Sequence, residues 1–226
     1  MELYTILEGK PFMTEFGIVG YSTVMLIREN GRNILFDCGQ RGCALQLKEA
    51  LAGHGLSPQD ITDVVVSHLH FDHVGNLPLF TEAKIWMSRT EWENAWASPD
   101  EWHCRATLEY ITNKCSVGFL KEGDRLTDSV TVMELPGHTW GLIGLKCGND
   151  TILCSDAIKN RYEMWWKDMP LMSMDTDVSR KTADRIRREA KHVYPGHDTC
   201  LHTDNSVCKD AVHFEIRFAD GTTMKV

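Results

Sequence analysis

The most constraining feature of the sequence is the stretch SHLHFDHVGN at 67–76, which sets His68, His70, Asp72 and His73 within six residues. It follows the apolar run ITDVVV, and an apolar run of that length is typical of a short buried β-strand. Residues that follow a strand of an α/β sheet gather at the sheet edge where the crevice forms. We therefore expect imidazoles and a carboxylate to cluster at the end of a central strand.

Three further residues with metal-ligand side chains also follow apolar runs: His138 in VMELPGHTWG, Asp156 in TILCSDA and His197 in HVYPGHD. Each alone has an ordinary explanation, as a hydrogen-bonded histidine, a helix cap or a turn residue. Together they are harder to explain, because two of them close the repeated tripeptide Pro-Gly-His. Burying so many polar groups without a cation would cost on the order of 1–3 kcal/mol for each unpaired group. The sequence predicts that all seven side chains converge on one metal-binding edge.

The remaining pattern predicts one α/β domain over residues 1–226. The segment YSTVMLIRENGRNILFDCG is typical of a β-hairpin with Asn30-Gly31 at its turn. Residues 43–55 have the spacing of an amphipathic helix, so the first half is expected to run β-β-α-β. The second half repeats this logic with strand pairs, a helix at 177–190 and a short strand before His197. Two short helices broken at Ser98-Pro99 are expected between the halves, and a hairpin is expected in the tail.

Composition limits the compartment and the partners. The first residues show no secretory signal, and no apolar run is long enough to span a membrane, so we expect a cytoplasmic protein. The eight cysteines form no C-x-x-C pair and are expected to be free, mostly buried thiols. A formal net charge of -8 disfavours nucleic acid as a partner. The one dense basic stretch, at 179–192, has the spacing of a solvated helix face.

The ordered set H-x-H-x-D-H, Pro-Gly-His, Asp and Gly-His resembles the metallo-β-lactamase superfamily, and NILFDCG resembles its early Asp-x-Gly turn. The resemblance runs from about residue 20 to about residue 200. It implies a four-layer αβ/βα sandwich with two metal ions at one edge. It also implies a division of the ligands: one metal is held by His68, His70 and His138, the other by Asp72, His73 and His197, and Asp156 bridges both.

The residue types suit that chemistry. Imidazole and carboxylate ligands without thiolate favour Zn(II), with Fe or Mn as alternatives. Two divalent ions about 3.5–4 Å apart can share a hydroxide at neutral pH, and Asp72 is expected to orient it and carry its proton. In the superfamily, a glutamate at the position of His70 marks the oxygen-reducing branch, so the histidine here implies a hydrolase.

The resemblance extends to lactonases that open N-acyl homoserine lactones and to glyoxalase II-type thioesterases, so the expected substrate is a small ester, lactone or thioester. The chain departs from the lactonase pattern at Trp140. A phosphodiesterase or ribonuclease of the same superfamily is the alternative enzyme, and a structural metal-binding module is the non-enzymatic alternative.

Two features leave alternatives open. Tyr194 is a candidate oxyanion donor, or else a strand tyrosine that faces the core. The Trp- and Met-rich segment 160–175 is either an apolar lip for an acyl chain or a lid or homodimer interface. If it is a lip, Trp92, Trp96 and Trp102 are expected opposite it.

Overall fold

The computed structural model describes residues 1–15, 17–166, 173–207, 215–217 and 220–225. The strands in chain order are β1 (Glu2–Leu7), β2 (Met13–Thr14), β3 (Gly17–Ile18), β4 (Val24–Glu29), β5 (Arg32–Phe36), β6 (Asp63–Val65), β7 (Lys84–Ser88), β8 (Ser116–Leu120), β9 (Val130–Glu134), β10 (Ile143–Cys147), β11 (Thr151–Ser155), β12 (His192–Pro195), β13 (Leu201–His202), β14 (Glu215–Arg217) and β15 (Thr223–Lys225). The α-helices are α1 (Ala44–Gly53), α2 (Phe71–Val74), α3 (Arg89–Ala97), α4 (Arg105–Lys114), α5 (Arg161–Trp165) and α6 (Thr176–Glu189).

Two sheets form the body of the fold. The larger has the strand order β1-β4-β5-β6-β7-β8, and β5 to β8 run parallel. The smaller has the order β13-β12-β11-β10-β9, in which β11 and β12 are parallel and β9 and β10 are antiparallel, as are β10 and β11. Strands β9, β11 and β12 therefore point the same way. The residues that follow these strands can meet at one edge of the smaller sheet, as those after β6 meet at the edge of the larger.

Alternating side chains along the strands bind the layers together. On β4, Ile27 faces an apolar cluster shared by the two sheets, while Leu26 faces a cluster under α1, α3 and α4. On β11, Leu153 faces the cluster between the sheets, and Ile152 faces a third cluster under α5 and α6. Successive strand residues point to opposite faces, so the layers stack helix, sheet, sheet, helix. This arrangement confirms the predicted αβ/βα sandwich.

The local predictions agree with the structure except in length. Asn30 (φ 53°) and Gly31 (φ 76°) form the turn between β4 and β5, and both have the positive φ that a type I′ hairpin requires. The predicted helices appear as α1 and α6, and the break at Ser98-Pro99 separates α3 from α4. The predicted strand before His68 is shorter than expected, because β6 ends at Val65. In the tail, β14 and β15 pair as the expected hairpin.

The prediction of free cysteines was wrong at one position. Six cysteines of the described chain are free thiols, and Cys38, Cys43, Cys147 and Cys154 among them are buried. Cys200, however, is disulfide-bonded. Disulfide formation depends on how closely two chain segments approach in space, and residue spacing along this sequence does not show that approach.

Candidate metal centre

The seven predicted ligand side chains meet at the edge where the strands end. His68 and His70 follow β6, while Asp72 and His73 lie in α2. The other three follow β9, β11 and β12 in turn. Among these seven residues, three groups have ligand atoms that lie within 4.8 Å of one another: His68, His70 and His138; His68, His73 and Asp156; and Asp72, His73 and His197. The structure thus brings together all seven residues that the sequence pattern singled out.

Asp156 lies at the middle of this cluster. Its Oδ2 is 3.4 Å from His138 Nε2, on one side. Its Oδ1 is 3.4 Å from His73 Nε2 and 3.3 Å from His197 Nε2, on the other side. The His197 Nε2 atom is also 3.4 Å from Asp72 Oδ2. One carboxylate therefore faces two separate sets of side chains, as a bridging ligand must.

Several polar atoms in the cluster are buried without a hydrogen-bond partner. Among the described residues, His68 Nε2, His73 Nε2 and Asp156 Oδ1 are in this state. Such atoms cost about 1–3 kcal/mol each unless a partner satisfies them. A divalent cation accepts lone pairs from imidazole nitrogen and carboxylate oxygen. The donor set and its orphaned atoms therefore fit a metal ion.

Glycine is required in the two Pro-Gly-His tripeptides for different structural reasons. Gly137 has φ +133°, a conformation that side chains rarely adopt. A Cβ atom at Gly196 would lie 1.8 Å from Asp156 Oδ1. The first glycine therefore permits a backbone turn before His138, and the second permits the backbone before His197 to pass against the central carboxylate.

Asp37 holds the buried side of the cluster. Its Oδ2 accepts hydrogen bonds from His73 Nδ1 and from the Ser67 hydroxyl, each at 2.8 Å, and its Oδ1 accepts from the Ser67 amide at 2.8 Å. The Ser155 hydroxyl donates to the same carboxylate at 3.0 Å. When the imidazole of His73 is neutral, as metal binding requires, its hydrogen stays on Nδ1 in the bond to Asp37 and Nε2 carries the lone pair that faces the centre. This is the aspartate of the early Asp-x-Gly turn.

Glu91 connects two of the loops and was missed in the sequence. It is 1% exposed, and it accepts hydrogen bonds from the Leu69 amide at 2.9 Å and the Thr139 hydroxyl at 2.7 Å. The loop of His68 and His70 is thereby tied to the loop of His138. The available signal was a glutamate at the first turn of a helix, after the capping Ser88, but that pattern also occurs in helices without any site.

Asp100 and His103 were also missed. Asp100 Oδ2 lies 3.0 Å from His70 Nε2, and Asp100 Oδ1 lies 2.8 Å from His103 Nδ1. Both residues come from the connection between α3 and α4, which has no periodic pattern that would point to the site. Lys159 also reaches the cluster, with its Nζ 3.1 Å from His138 Nδ1.

The charged groups of the cluster shift one another's proton affinity in opposite directions. Burial alone would lower the pKa of His73, but carboxylates, Asp72 foremost, raise it well above the usual histidine value. Burial alone would raise the pKa of Asp156, but His197 and His73 hold it well below its usual range. Burial and neighbouring histidines lower the pKa of His68. Such opposed shifts within one cleft are typical of functional sites.

A cavity of about 600 Å³ opens onto the cluster, a size that suits a small organic ligand. His70, Asp72, His138, Asp156 and His197 face it from the cluster. Apolar walls surround them, formed by Pro11, Phe12, Phe71, Trp102 and Met174. The cavity therefore pairs a polar, acidic floor with mostly apolar sides.

Of the apolar residues in segment 160–175, which was expected to be either a lip or a lid or homodimer interface, only some lie at the cavity. Met174 lines the cavity, and Trp166 is 61% exposed beside Tyr162. Met164 instead packs in the core under α6. Met169 and Met172 lie outside the described residues. On the opposite wall, the prediction holds for Trp102 alone.

Trp92 and Trp96 do not reach the cavity, contrary to the prediction. Their rings lie 5.8 Å apart on one face of α3 and pack against the cluster under the first sheet. The reason is helical spacing, because residues four apart share a face, and this face is the one that α3 buries.

Tyr194 also lies away from the cluster. Its side chain packs against the apolar core between the two sheets, and burial raises its pKa. Tyr194 is absent from the residues that line the cavity in the described chain. The core-facing alternative stated above therefore agrees with the structure, and we assign no catalytic role to Tyr194.

The fold and the histidine-carboxylate cluster define a class of metal-dependent hydrolases, and comparison with known proteins agrees. The profile of the Metallo-beta-lactamase superfamily matches residues 17–197. The chain therefore belongs to the metallo-beta-lactamase superfamily, and it is a hydrolase of that superfamily.

Individual relatives are distant. A Methanocaldococcus jannaschii protein named "probable metallo-hydrolase" is 26% identical over 80% of this chain and 86% of its own length. An N-acyl homoserine lactonase of a Bacillus species is 29% identical over 64% of this chain, but the match spans only 58% of the lactonase. A crystal structure from Thermotoga maritima, of a protein classed with the metallo-beta-lactamases, superposes with a TM-score of 0.73 at 25% identity, covering 89% of this chain and 98% of that one.

None of the helices in the described part of the chain has the length and apolar character that a bilayer crossing requires. The expectations of a cytoplasmic location, of a single domain and of a homodimer stay predictions.

Proposed function

We propose that the protein is a dinuclear metal-dependent hydrolase that opens a small ester, lactone or thioester. The observation that carries the proposal is the seven-residue cluster at the floor of the cavity, with its buried and unpartnered nitrogen and oxygen atoms. The proposed ligands of the first ion are His68, His70 and His138, and those of the second are Asp72, His73 and His197. Asp156 is proposed to bridge both.

The donor set favours Zn(II), because it combines imidazole and carboxylate without thiolate, and Fe and Mn are the alternatives. When bound, a pair of divalent ions lowers the pKa of water and polarises a carbonyl oxygen. Cys154 is the cysteine nearest in sequence to a proposed ligand, and its thiol points into the core under α6. No cysteine thus joins the ligand set in the described chain.

Asp72 has the placement of a proton carrier. It lines the cavity, its side chain is 13% exposed, and its Oδ2 is 3.4 Å from His197 Nε2. A carboxylate at this point can orient an attacking water, accept its proton at Oδ2 and pass that proton to the leaving group. His197 is held for this geometry by the Tyr21 carbonyl, which lies 3.0 Å from its Nδ1.

Three observations support a small acyl substrate. The walls are mostly apolar, and the Bacillus relative is named for N-acyl homoserine lactone hydrolysis. Outside the proposed ligands, the charged residues that line the cavity are Asp100, Glu101 and Lys159, a net negative set that disfavours a polyanion. The basic stretch on α6 gives no phosphate-binding surface at Arg185, because Arg185 is paired with Glu122 at 2.7 Å and Glu189 at 3.0 Å.

The test compares zinc-loaded protein on an acyl homoserine lactone and on bis(p-nitrophenyl) phosphate under identical conditions. His138→Ala removes a proposed ligand, and His54→Ala removes a histidine whose ring centroid lies 4.6 Å from that of Tyr4, outside the cluster. Loss of an outer-sphere partner already costs about 10–100-fold, so we expect His138→Ala to lose at least about 100-fold in lactone turnover and His54→Ala to lose little.

Lactone turnover with phosphodiester cleavage near the His138→Ala background would support the proposal. Phosphodiester cleavage without lactone turnover would move the protein to the phosphodiesterase alternative. Full activity and normal metal content in His138→Ala would refute the ligand assignment itself.

A further inference from the structure

Asp100 occupies an unusual position between two imidazole rings. Its Oδ2 is 3.0 Å from His70 Nε2, and its Oδ1 is 2.8 Å from His103 Nδ1. Each oxygen of the Asp100 carboxylate therefore contacts a different imidazole ring. The sequence separates Asp100 from His70 by 30 residues, so the contact is created by the fold rather than by the H-x-H-x-D-H motif.

The other nitrogen of His70 faces the centre. His70 Nδ1 is 3.2 Å from His138 Nε2, and the His70 side chain is 7% exposed. A neutral imidazole carries its hydrogen on one nitrogen and a lone pair on the other. An ionised carboxylate only accepts, so the contact with Asp100 keeps the hydrogen on Nε2 and turns the Nδ1 lone pair toward the cluster.

The loop that carries Asp100 is docked on the motif by further contacts. The Trp102 amide donates to Asp100 Oδ1 at 2.9 Å, and the Phe71 amide donates to the Trp102 carbonyl at 3.0 Å. The rings of Phe71 and Trp102 stack with centroids 6.2 Å apart. These contacts hold the carboxylate at a fixed distance from His70.

We infer that Asp100 is a positioning residue, which fixes the ring orientation and tautomer of His70 for metal binding and is itself held in place by His103. The inference rests on the proposed metal centre and adds to it a residue outside the seven ligands. Outer partners of metal-binding histidines orient the ligand, and their loss costs about 10–100-fold in metal affinity or activity.

One competing explanation uses the same residues. His70, Asp100 and His103 have ligand atoms within 4.8 Å of one another and would be able to hold an ion of their own. His70 would then have to give up its remaining ring proton to bind metal through both nitrogens. The two explanations differ in the number of ions bound, which makes them separable by measurement.

The experiment measures zinc affinity by competition with a chromophoric chelator, zinc stoichiometry by elemental analysis, and the Tm of the metal-free protein. The variants are Asp100→Ala, Asp100→Asn and His103→Ala. The matched control is Glu109→Ala, which removes a carboxylate of α4 that pairs with Arg105 at 3.0 Å. None of these readouts depends on a choice of substrate.

We expect Asp100→Ala to weaken zinc binding about 10–100-fold and to change the metal-free Tm little. Asp100→Asn should fall between wild type and Asp100→Ala, because its amide oxygen still accepts from His70 Nε2 but carries no charge. The loss in His103→Ala should be smaller than in Asp100→Ala, and Glu109→Ala should match wild type.

Two results would overturn the inference. One is unchanged zinc affinity in Asp100→Ala; if the metal-free Tm falls at the same time, the role of Asp100 is purely structural. The other is loss of a third zinc ion with the other two unaffected. If wild-type protein binds neither zinc nor iron nor manganese, the proposed function fails as well; if wild type binds two ions and only the Asp100 prediction fails, the proposed function stands.

Discussion

Two aspartates hold histidines of the centre from outside, and their surroundings differ. Asp37 contacts His73 at 2.8 Å, with side-chain exposures of 1% and 0%. Asp100 contacts His70 at 3.0 Å, with exposures of 28% and 7%. Asp37 lies just after β5 and binds two serines as well, whereas Asp100 sits on a connection at the rim of the cavity. The same carboxylate-imidazole contact thus occurs once inside the core and once at its border.

The difference in burial predicts different effects of the two aspartates on folding stability and on metal binding. Removing a buried partner leaves polar groups that neither protein nor water satisfies. At the rim, water replaces the lost hydrogen bond, and the cost is confined to the orientation of the ring. We therefore expect the Asp37 side to control stability and metal binding together, and the Asp100 side to control metal binding with little effect on stability.

The largest effect is expected from Asp37→Ala. The substitution leaves His73 Nδ1 and the Ser67 amide without their acceptor, and breaking a buried charged pair costs about 3–5 kcal/mol. Urea unfolding of the metal-free protein measures this loss. Asp128→Ala, at a side chain that is 80% exposed, is the control and should change the unfolding free energy by less than about 0.5 kcal/mol. A loss below about 1 kcal/mol in Asp37→Ala would contradict the proposed difference between Asp37 and Asp100.

A smaller effect is expected on the stability that zinc adds, and it tests the role of Asp100 in metal binding. Free zinc at 100 times the dissociation constant stabilises a one-site protein by about 2.7 kcal/mol. At the same free zinc, Asp100→Ala should gain about 1.4 kcal/mol or less, because a tenfold weaker constant removes about 1.4 kcal/mol. Urea unfolding with and without a zinc buffer measures both gains. Equal gains in the two proteins would contradict the role given to Asp100.

The smallest effect is expected from Asp63→Asn, at the start of the strand that leads to the histidine motif. Burial alone would raise the pKa of Asp63, but hydrogen bonds from Arg32, Thr62 and Trp86 lower it overall. Since the folded pKa lies below the unfolded value of about 3.9, Asp63 stabilises the fold above that pH, and the contribution disappears as the pH falls toward the folded pKa.

Urea unfolding of wild type and Asp63→Asn between pH 6 and pH 2.5 tests this. The variant should be less stable by about 1 kcal/mol at pH 6 and should lose less stability on acidification than wild type does. Its zinc affinity at pH 7 should equal that of wild type, because Asp63 lies at the far end of β6. A weaker zinc affinity would show that a carboxylate remote from the centre also tunes it.

The ligand cluster could be predicted from sequence because every candidate closely follows a strand: four come after β6, and one each comes after β9, β11 and β12. The local hydrophobic pattern indicates each strand, and residues that follow strands of the same direction lie at the same edge of a sheet. The turn that contains Asp37 was marked by the family resemblance of NILFDCG, although Asp37 itself was not predicted as a site residue. Asp100 and Glu91 could not be predicted, because their contacts join residues 30 and 22 positions apart in the sequence. The spacing of residues around them also gives no sign that they face the site.

Side-chain direction was the second limit. Tyr194 and Val193 are neighbours on β12, one packed between the sheets and the other under α6, and a short strand buried on both faces gives no alternation to distinguish them. Trp92 and Trp96 were assigned to the cavity by residue type alone. Their four-residue spacing already indicated a shared helix face, and the structure shows that this face is buried.

The connection between α3 and α4, which carries Asp100 and Trp102, also limits how this enzyme can be re-engineered. Asp100, which meets His70, and Trp102, which forms a wall of the cavity, lie two residues apart on one connection. A library that randomises this loop to accept a new substrate will also change the hold on zinc. Screens should therefore be run at buffered zinc concentrations, since a variant with a better pocket and a weaker centre would otherwise be discarded as inactive.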